Sequence, residues 1–203
     1  MTKEEQLSII NDTIRQTKYN LKPLGFNLVF WGVLIIIMSL FHYFFPQIVQ
    51  YTYYSSLIYW VTIPLLGMVY TTYHNINSGN KIGYETQLGR VIRIIWAVFG
   101  FSWISIVAIS LLHDINPVQD ILFLLGTVLI MSGVIIKFNP VTFGGIGLII
   151  FTINTYYHTE LNFLLINVVG ITFGMLIPGL ALYFLKKDII MVNTRLTPST
   201  IIK

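Results

Sequence analysis

Apolar and polar positions alternate in long blocks along this chain. Six apolar runs, at about 24–45, 54–73, 91–112, 118–136, 141–157 and 161–185, are separated by short polar connections. A helix needs roughly 20 mostly apolar residues to cross the hydrocarbon core of a bilayer. The pattern therefore predicts an all-α polytopic membrane protein, with six transmembrane helices in three hairpins (1–2, 3–4 and 5–6) spanning residues 23–185. The fifth run is short and the sixth long, so the sixth is expected to tilt or bend, with Pro178 as the site of a bend.

The flanks read differently. Residues 1–22 have the pattern of an amphipathic helix. Thr2 and Glu5 stand at capping-box spacing, and Leu7, Ile10, Ile14 and Leu21 recur on one face. Such a helix lies in the membrane interface or docks a cytoplasmic protein through Leu7, Ile10 and Ile14. Pro23 ends it. Its polar, acidic start is unlike a cleavable signal peptide, so the first span is expected to serve as an uncleaved anchor. The longest connection, at about 74–90, is rich in Asn, Ser and Gly and is predicted as loop; residues 186–203 are predicted as a cytoplasmic tail.

Charge sets the orientation. The chain has 12 Lys and Arg residues, and all of them fall on the side that the six-span topology gives to the N-terminus. Five of the acidic residues share that side, and the opposite loops carry only Asp114, Asp120 and Glu160. Basic loops stay cytoplasmic, which predicts both termini inside and, for a bacterial chain, the inner membrane. The net charge of +4 then reflects topology and contact with anionic headgroups, not nucleic acid. Composition agrees: 55% of residues are hydrophobic, only 10% are charged, and the mean hydropathy is +0.75. There is no cysteine, which excludes disulfides, thiolate metal sites and cysteine nucleophiles.

No Asp, Glu, Lys or Arg lies near the middle of a span. Intramembrane charges mark proton relays and ion pathways, so an ion-driven pump is disfavoured. The deeper polar residues are neutral; Ser105, Asn154 and Asn167 either bond between helices or line a path for a small neutral solute. Gly170 and Gly174 form a GxxxG that brings helices close, within the bundle or across a homodimer. Asn116-Pro117-Val118 and Asn139-Pro140-Val141 are too close together to be the paired boxes of a water channel. They read as helix starts, with Asn as cap and Pro in the first turn. Clustered tyrosines, with Trp60, read as interface anchors near the outer end of span 2.

One constellation has the residue types for chemistry. His42, His113, Asp114, His158 and Glu160 all fall at the outer surface, with Asp120 nearby. Each odd span has a histidine near its outer end, followed four residues later by Pro46, Pro117 or Asn162, a faint threefold repeat. If spans 1, 3 and 5 were neighbours, imidazoles and carboxylates would converge in a set suited to zinc. No HExxH spacing, GxSxG elbow or phosphate loop is present.

In three places the chain resembles a loose group of small six-span membrane proteins of Bacteroidetes-type bacteria: Glu4-Glu5-Gln6-Leu7-Ser8-Ile9-Ile10, Phe30-Trp31-Gly32, and Ile177-Pro178-Gly179 ahead of Lys186-Lys187. That resemblance implies the six-span plan along the whole chain and brings no activity, cofactor or catalytic residue with it. Three functions then compete. The first is a non-enzymatic accessory or regulatory protein acting through a cytoplasmic partner, a second copy or both. The second is a facilitator or channel for a small neutral solute, which needs a central polar cavity. The third is a zinc-dependent membrane protein, which needs the outer histidines to meet.

Overall fold

The apolar runs are helices in the computed structural model, which describes residues 22–52, 54–80, 87–113, 115–158 and 160–184. Helix α1 (Lys22–Phe44) is followed by one short turn of helix, α2 (Pro46–Val49), then α3 (Ser55–Asn80), α4 (Gln87–His113), α5 (Val118–Ile135) and α6 (Asn139–Tyr156). The last helix, α7 (Phe163–Phe184), is α-helical to Ile171 and widens to a π-helix over Thr172–Leu176. It then returns to α-helix. No strand occurs among the described residues. The expected amphipathic helix with Leu7, Ile10 and Ile14, the tail over 186–203, and Asp114 lie outside the described residues.

Four of these helices are long and apolar enough to cross a membrane, over Leu24–Phe44, Leu88–His113, Val118–Ile135 and Phe163–Phe184. In α3 the apolar run is interrupted by Tyr59, Thr62 and the Tyr70–Tyr73 stretch. In α6 it is diluted by Asn139, three glycines and Asn154. The chain thus has the helices of a membrane-embedded protein.

The helix ends follow local chemistry. Asn162 caps α7, its side chain accepting the Leu164 amide at 2.8 Å. The Asn116 side chain accepts the Val118 amide at 3.0 Å and starts α5, as its position before Pro117 suggests. Asn139 departs from the expectation. It is already helical, with Phe138 at the cap position and Pro140 in the first turn. Between α5 and α6, Phe138 N–H donates to Gly133 O and Lys137 N–H to Val134 O, closing the end of α5 in a Schellman turn. Lys137 takes the left-handed position with φ 54°, where glycine is usual because a Cβ costs roughly 1 kcal/mol or more. The connection at 74–90 is also shorter than its composition suggests: α3 runs on to Asn80 and α4 begins at Gln87.

Glycines decide which helices meet. The tightest neighbours are α5 and α6, followed by α1 and α7. An added Cβ at Gly126 would stand 2.7 Å from Ile149 Cγ1, and one at Gly145 would stand 2.7 Å from the Gly126 carbonyl. On α1, a Cβ at Gly32 would stand 3.2 Å from Leu176 Cβ, while one at Gly179 would stand 2.8 Å from Leu28 Cβ. The α1–α7 seam is therefore antiparallel, pairing Gly25 with Leu182, Leu28 with Gly179 and Gly32 with Leu176. Gly170 and Gly174 both pack on Leu148 of α6, so the GxxxG serves the bundle itself. Gly144 meets Pro178 and the Gly174 carbonyl, the group that Pro178 leaves without its helical donor. The irregularity foreseen at Pro178 thus takes the form of a π-turn just before it.

The buried core contains Leu24 and Leu28 of α1, Leu122, Leu125 and Leu129 of α5, Leu148 of α6, and Ile166, Ile171 and Met175 of α7. Helices α3 and α4 contribute no fully buried large side chain to it; Ile92, Trp96 and Phe99 of α4 pack against its edge. Consecutive helices also pack, α4 on α5 and α6 on α7, but the closest pairings join helices from different expected hairpins. Close packing requires small residues where lipid supplies no hydrophobic drive, and here they join α5 to α6 and α1 to α7, leaving α3 and α4 at the periphery.

Candidate functional site

In so apolar a chain, function is sought where polar groups are buried. Three of those places, among the described residues, join different helices.

The first is built around His42, near the end of α1 and only 8% exposed. Trp60 Nε1–H donates to His42 Nδ1 at 3.0 Å. Indole can only donate, so Nδ1 has a lone pair and the ring proton of the neutral imidazole is on Nε2. The Gln50 side-chain amide lies 3.0 Å from Nε2. With the proton there, the amide must present its oxygen, the orientation that the hydrogen-bond network selects. Tyr59 adds a bond from its hydroxyl to the Met38 carbonyl at 3.0 Å. Ser55 donates to the Val49 carbonyl at 2.8 Å and accepts from the Thr52 amide at 2.9 Å. Together these bonds fasten α1, the α2 turn and the start of α3. Tyr59 and Trp60 therefore bond to α1 and do not serve simply as interface anchors, whereas Tyr51 and Tyr54 are exposed.

The residues expected to hold zinc are placed as follows. Both ring nitrogens of His42 are engaged by its own chain, whereas His113, His158 and Glu160 are exposed at other helix ends. Among the described residues no three His, Asp or Glu side chains gather to hold a metal. The Asp120 carboxylate accepts the Tyr156 hydroxyl at 2.7 Å, tying the outer end of α5 to α6.

In the middle of the bundle, Asn167 Nδ2–H donates to Ser39 Oγ at 3.0 Å, with both residues buried on the α1–α7 seam. Ser105 donates to the Phe101 carbonyl of its own helix at 3.0 Å, and Asn154 is exposed on α6. The three neutral polar residues expected along a solute path thus lie on three different helices, with Asn167 alone buried. Asn167→Ala leaves the Ser39 hydroxyl without its partner and is expected to cost about 1–2 kcal/mol, since interhelical hydrogen bonds in membranes are worth roughly that. Thermal unfolding in detergent checks this. An Asn154→Ala control is expected to change nothing measurable, and equal losses for the two variants would refute the assignment.

The third place, at the start of α1, was not legible as a site from sequence. Asn27 Oδ1, His74 Nδ1 and Asn75 Oδ1 are buried atoms without a hydrogen-bond partner. His74 stacks on Phe26 with ring centroids 4.2 Å apart, and Tyr70 lies 5.2 Å from Phe30. Trp31 and Leu34 close on Gly67. These pairs fix an antiparallel register in which Asn27, on the face of α1 shared with Trp31 and Leu34, stands against the turn of α3 that holds His74 and Asn75. The available signal was a lone Asn in the apolar start of α1; His74 and Asn75 were assigned to the loop. Buried polar groups are nearly always satisfied, so three unsatisfied atoms on two facing helix ends single this place out.

Comparison of the chain with protein-family models, with curated proteins and with solved structures gives no match. Functional argument therefore rests on the residues.

Proposed function

We propose that this is an integral membrane protein of the bacterial inner membrane, with all six long helices crossing the bilayer and both termini cytoplasmic. In this reading it acts without catalysis, as an accessory or regulatory protein that works through partners. The observation that carries the reading is the position of α4. Only 6% of its apolar stretch is buried, against 33–44% for the other three helices of comparable apolarity. Lipid supplies no drive to bury an apolar helix, so this open face stays available to a partner. Here one side leans on α5, while Ala97, Phe101, Ile104 and Ala108 share an open face. Small residues interleaved with large ones form the kind of surface on which membrane helices associate.

A facilitator is less well supported, because Leu122, Leu125, Leu129, Leu148 and Met175 fill the centre of the bundle and Asn167 bonds to Ser39. The whole-sequence charge asymmetry supports the orientation. The absence of cysteine allows single-cysteine labelling to read topology without background.

A photo-crosslinking residue placed at Phe101 is expected to give one discrete protein adduct in native membranes. The same residue at Ile153, exposed on α6, gives lipid adducts only. The full chain and a chain lacking residues 2–20 are compared, so that loss of the adduct in the shorter chain assigns the docking role to the N-terminal segment. Lipid adducts alone at both positions, together with solute flux through liposomes above that of empty vesicles, would replace this reading with a facilitator.

A further inference from the structure

The corner that joins α1 to α3 is turned inside out. A connection in water exposes polar side chains and hides apolar ones. Here Phe44, Phe45, Ile48, Tyr51 and Tyr54 are each at least half exposed, while Gln50 turns in to His42 and the Ser55 hydroxyl turns in to the Val49 carbonyl. Gln47 and Thr52 are exposed as well, but both are neutral. From Pro23 to Asn80 the chain has no Asp, Glu, Lys or Arg at all. The connection between α6 and α7 lies at the same end of the bundle, because Asn167 near the start of α7 bonds to Ser39 near the end of α1. That connection exposes a charge, Glu160. The backbone of the α1–α3 corner is largely closed on itself. Phe45 N–H donates to the Phe41 carbonyl at 2.9 Å, Ile48 N–H to the Phe45 carbonyl at 3.1 Å and Gln50 N–H to the Pro46 carbonyl at 2.7 Å. Thr52 N–H donates to Ser55 Oγ at 2.9 Å, and Ser55 N–H to the Thr52 carbonyl at 3.1 Å. A segment in lipid must satisfy its own backbone in this way.

We propose that this corner is a membrane-binding surface, an anchor lying in the boundary between headgroups and acyl chains instead of projecting into water. Its partner is the bilayer itself. Helix α1 is long and apolar enough to cross a membrane, so its end reaches the membrane surface. Ile37 of α1 and Ile58 of α3 continue the exposed apolar surface along both helices, which makes the corner an extension of a lipid-facing side. Phe44, Phe45 and Ile48 enter the upper acyl region, while the hydroxyls of Tyr51 and Tyr54 stay at headgroup level, where such rings gather. Interfacial helices bury their apolar face by roughly 5–10 Å, a depth that the single turn of α2 can reach without crossing. Having no charge, the corner selects no anionic headgroup. The surface holds whichever way the chain is oriented, and whether or not it acts through protein partners.

The test is cysteine labelling of the full-length protein in phosphatidylcholine nanodiscs, where both membrane faces meet solvent. The chain has no cysteine of its own. Ile48→Cys, Tyr51→Cys and Glu160→Cys are reacted with a charged maleimide, and each rate is divided by that of the same variant unfolded in denaturant. All three positions are exposed, so the substitutions leave the packed core alone. The two corner positions are expected to react about tenfold more slowly than Glu160→Cys, as for side chains that stand in water about a tenth of the time. A fluorophore carried on Ile48→Cys is expected to be quenched by lipid with a nitroxide at the top of its acyl chain, more strongly than one on Glu160→Cys. Ile48→Glu, which brings a charge into the boundary, is expected to raise the rate at Tyr51→Cys toward that at Glu160→Cys, while Ile48→Leu leaves it slow. Corner rates equal to that at Glu160→Cys would overturn the proposal and place the corner in water, free for a protein partner. Slow labelling without quenching by the nitroxide lipid would overturn it too, because protein and not lipid would then cover the corner.

Discussion

Gly145→Ala is expected to lower the thermal midpoint by roughly 5–10 °C, the equivalent of about 2–3 kcal/mol for a chain of this size. Gly147→Ala, two residues along the same helix, is expected to lower it not at all. The new methyl at Gly145 would lie 2.7 Å from the Gly126 carbonyl and 2.8 Å from the Ile130 amide nitrogen, whereas one at Gly147 would meet nothing within 4 Å. The atoms in the way at Gly145 are backbone, so no side chain can swing aside, and the α5–α6 pair must separate along its length. That pair has the most extensive helix contact in the protein, which is why one methyl has so large an effect. At Gly147 alanine brings only its better helix propensity, worth up to about 1 kcal/mol. Parallel scans of the two variants in detergent decide it. Equal midpoints would mean that α5 and α6 do not approach at these glycines.

The second large effect is expected at His42. His42→Ala removes the acceptor for Trp60 and the partner of Gln50, together with a buried ring. The loss is expected to be about 2–4 kcal/mol, from two hydrogen bonds of about 1 kcal/mol each and the cavity left behind. It should come with a red shift of Trp60 emission as water reaches the indole. The test has an internal control in His42→Asn. The amide oxygen of asparagine sits close to where imidazole Nδ1 sat, so it keeps the bond from Trp60 and loses only that to Gln50. About half the destabilisation and little emission shift are expected. If both substitutions had the same effect, the Trp60 bond would not be the one that holds α3 to α1. The same pair separates this structural role from zinc binding, because a metal-bearing His42 would make the protein sensitive to chelators and the geometry predicts no such response.

Helicity was legible in the sequence because it depends on quantities the sequence states directly. Long apolar runs without charge can satisfy their backbone in lipid only as helices, and Asn116, Pro140 and Asn162 mark where three of them start. Even the irregularity in α7 was announced by Pro178. Other features were misread for identifiable reasons. Polar composition suggested a loop at 74–90, but α3 continues through His74 and Asn75 to Asn80; there the His74 ring stacks on Phe26 of α1, where tertiary contact outweighs local preference. The outer histidines looked alike because each occupied the same place in its span. Rotation about the helix axis separates them, turning His42 inward onto Trp60 and leaving His113 and His158 exposed. Sequence position gives a residue's place along its helix, but it does not give neighbours.

Helicity, and the apolar length that lets four helices cross a membrane, were therefore determined by the sequence alone, because each is a sum over local residues. Which helices meet was decided by the tertiary structure. Gly126 finds Gly145, and Gly179 finds Leu28, through contacts that exist only after helices distant along the chain have been brought together. The candidate site belongs to that second category. Asn27, His74 and Asn75 are three ordinary polar residues in sequence. Only the antiparallel register of α1 and α3, set by Phe26 on His74 and by Trp31 and Leu34 on Gly67, brings their buried, unpartnered atoms to one end of the helix pair.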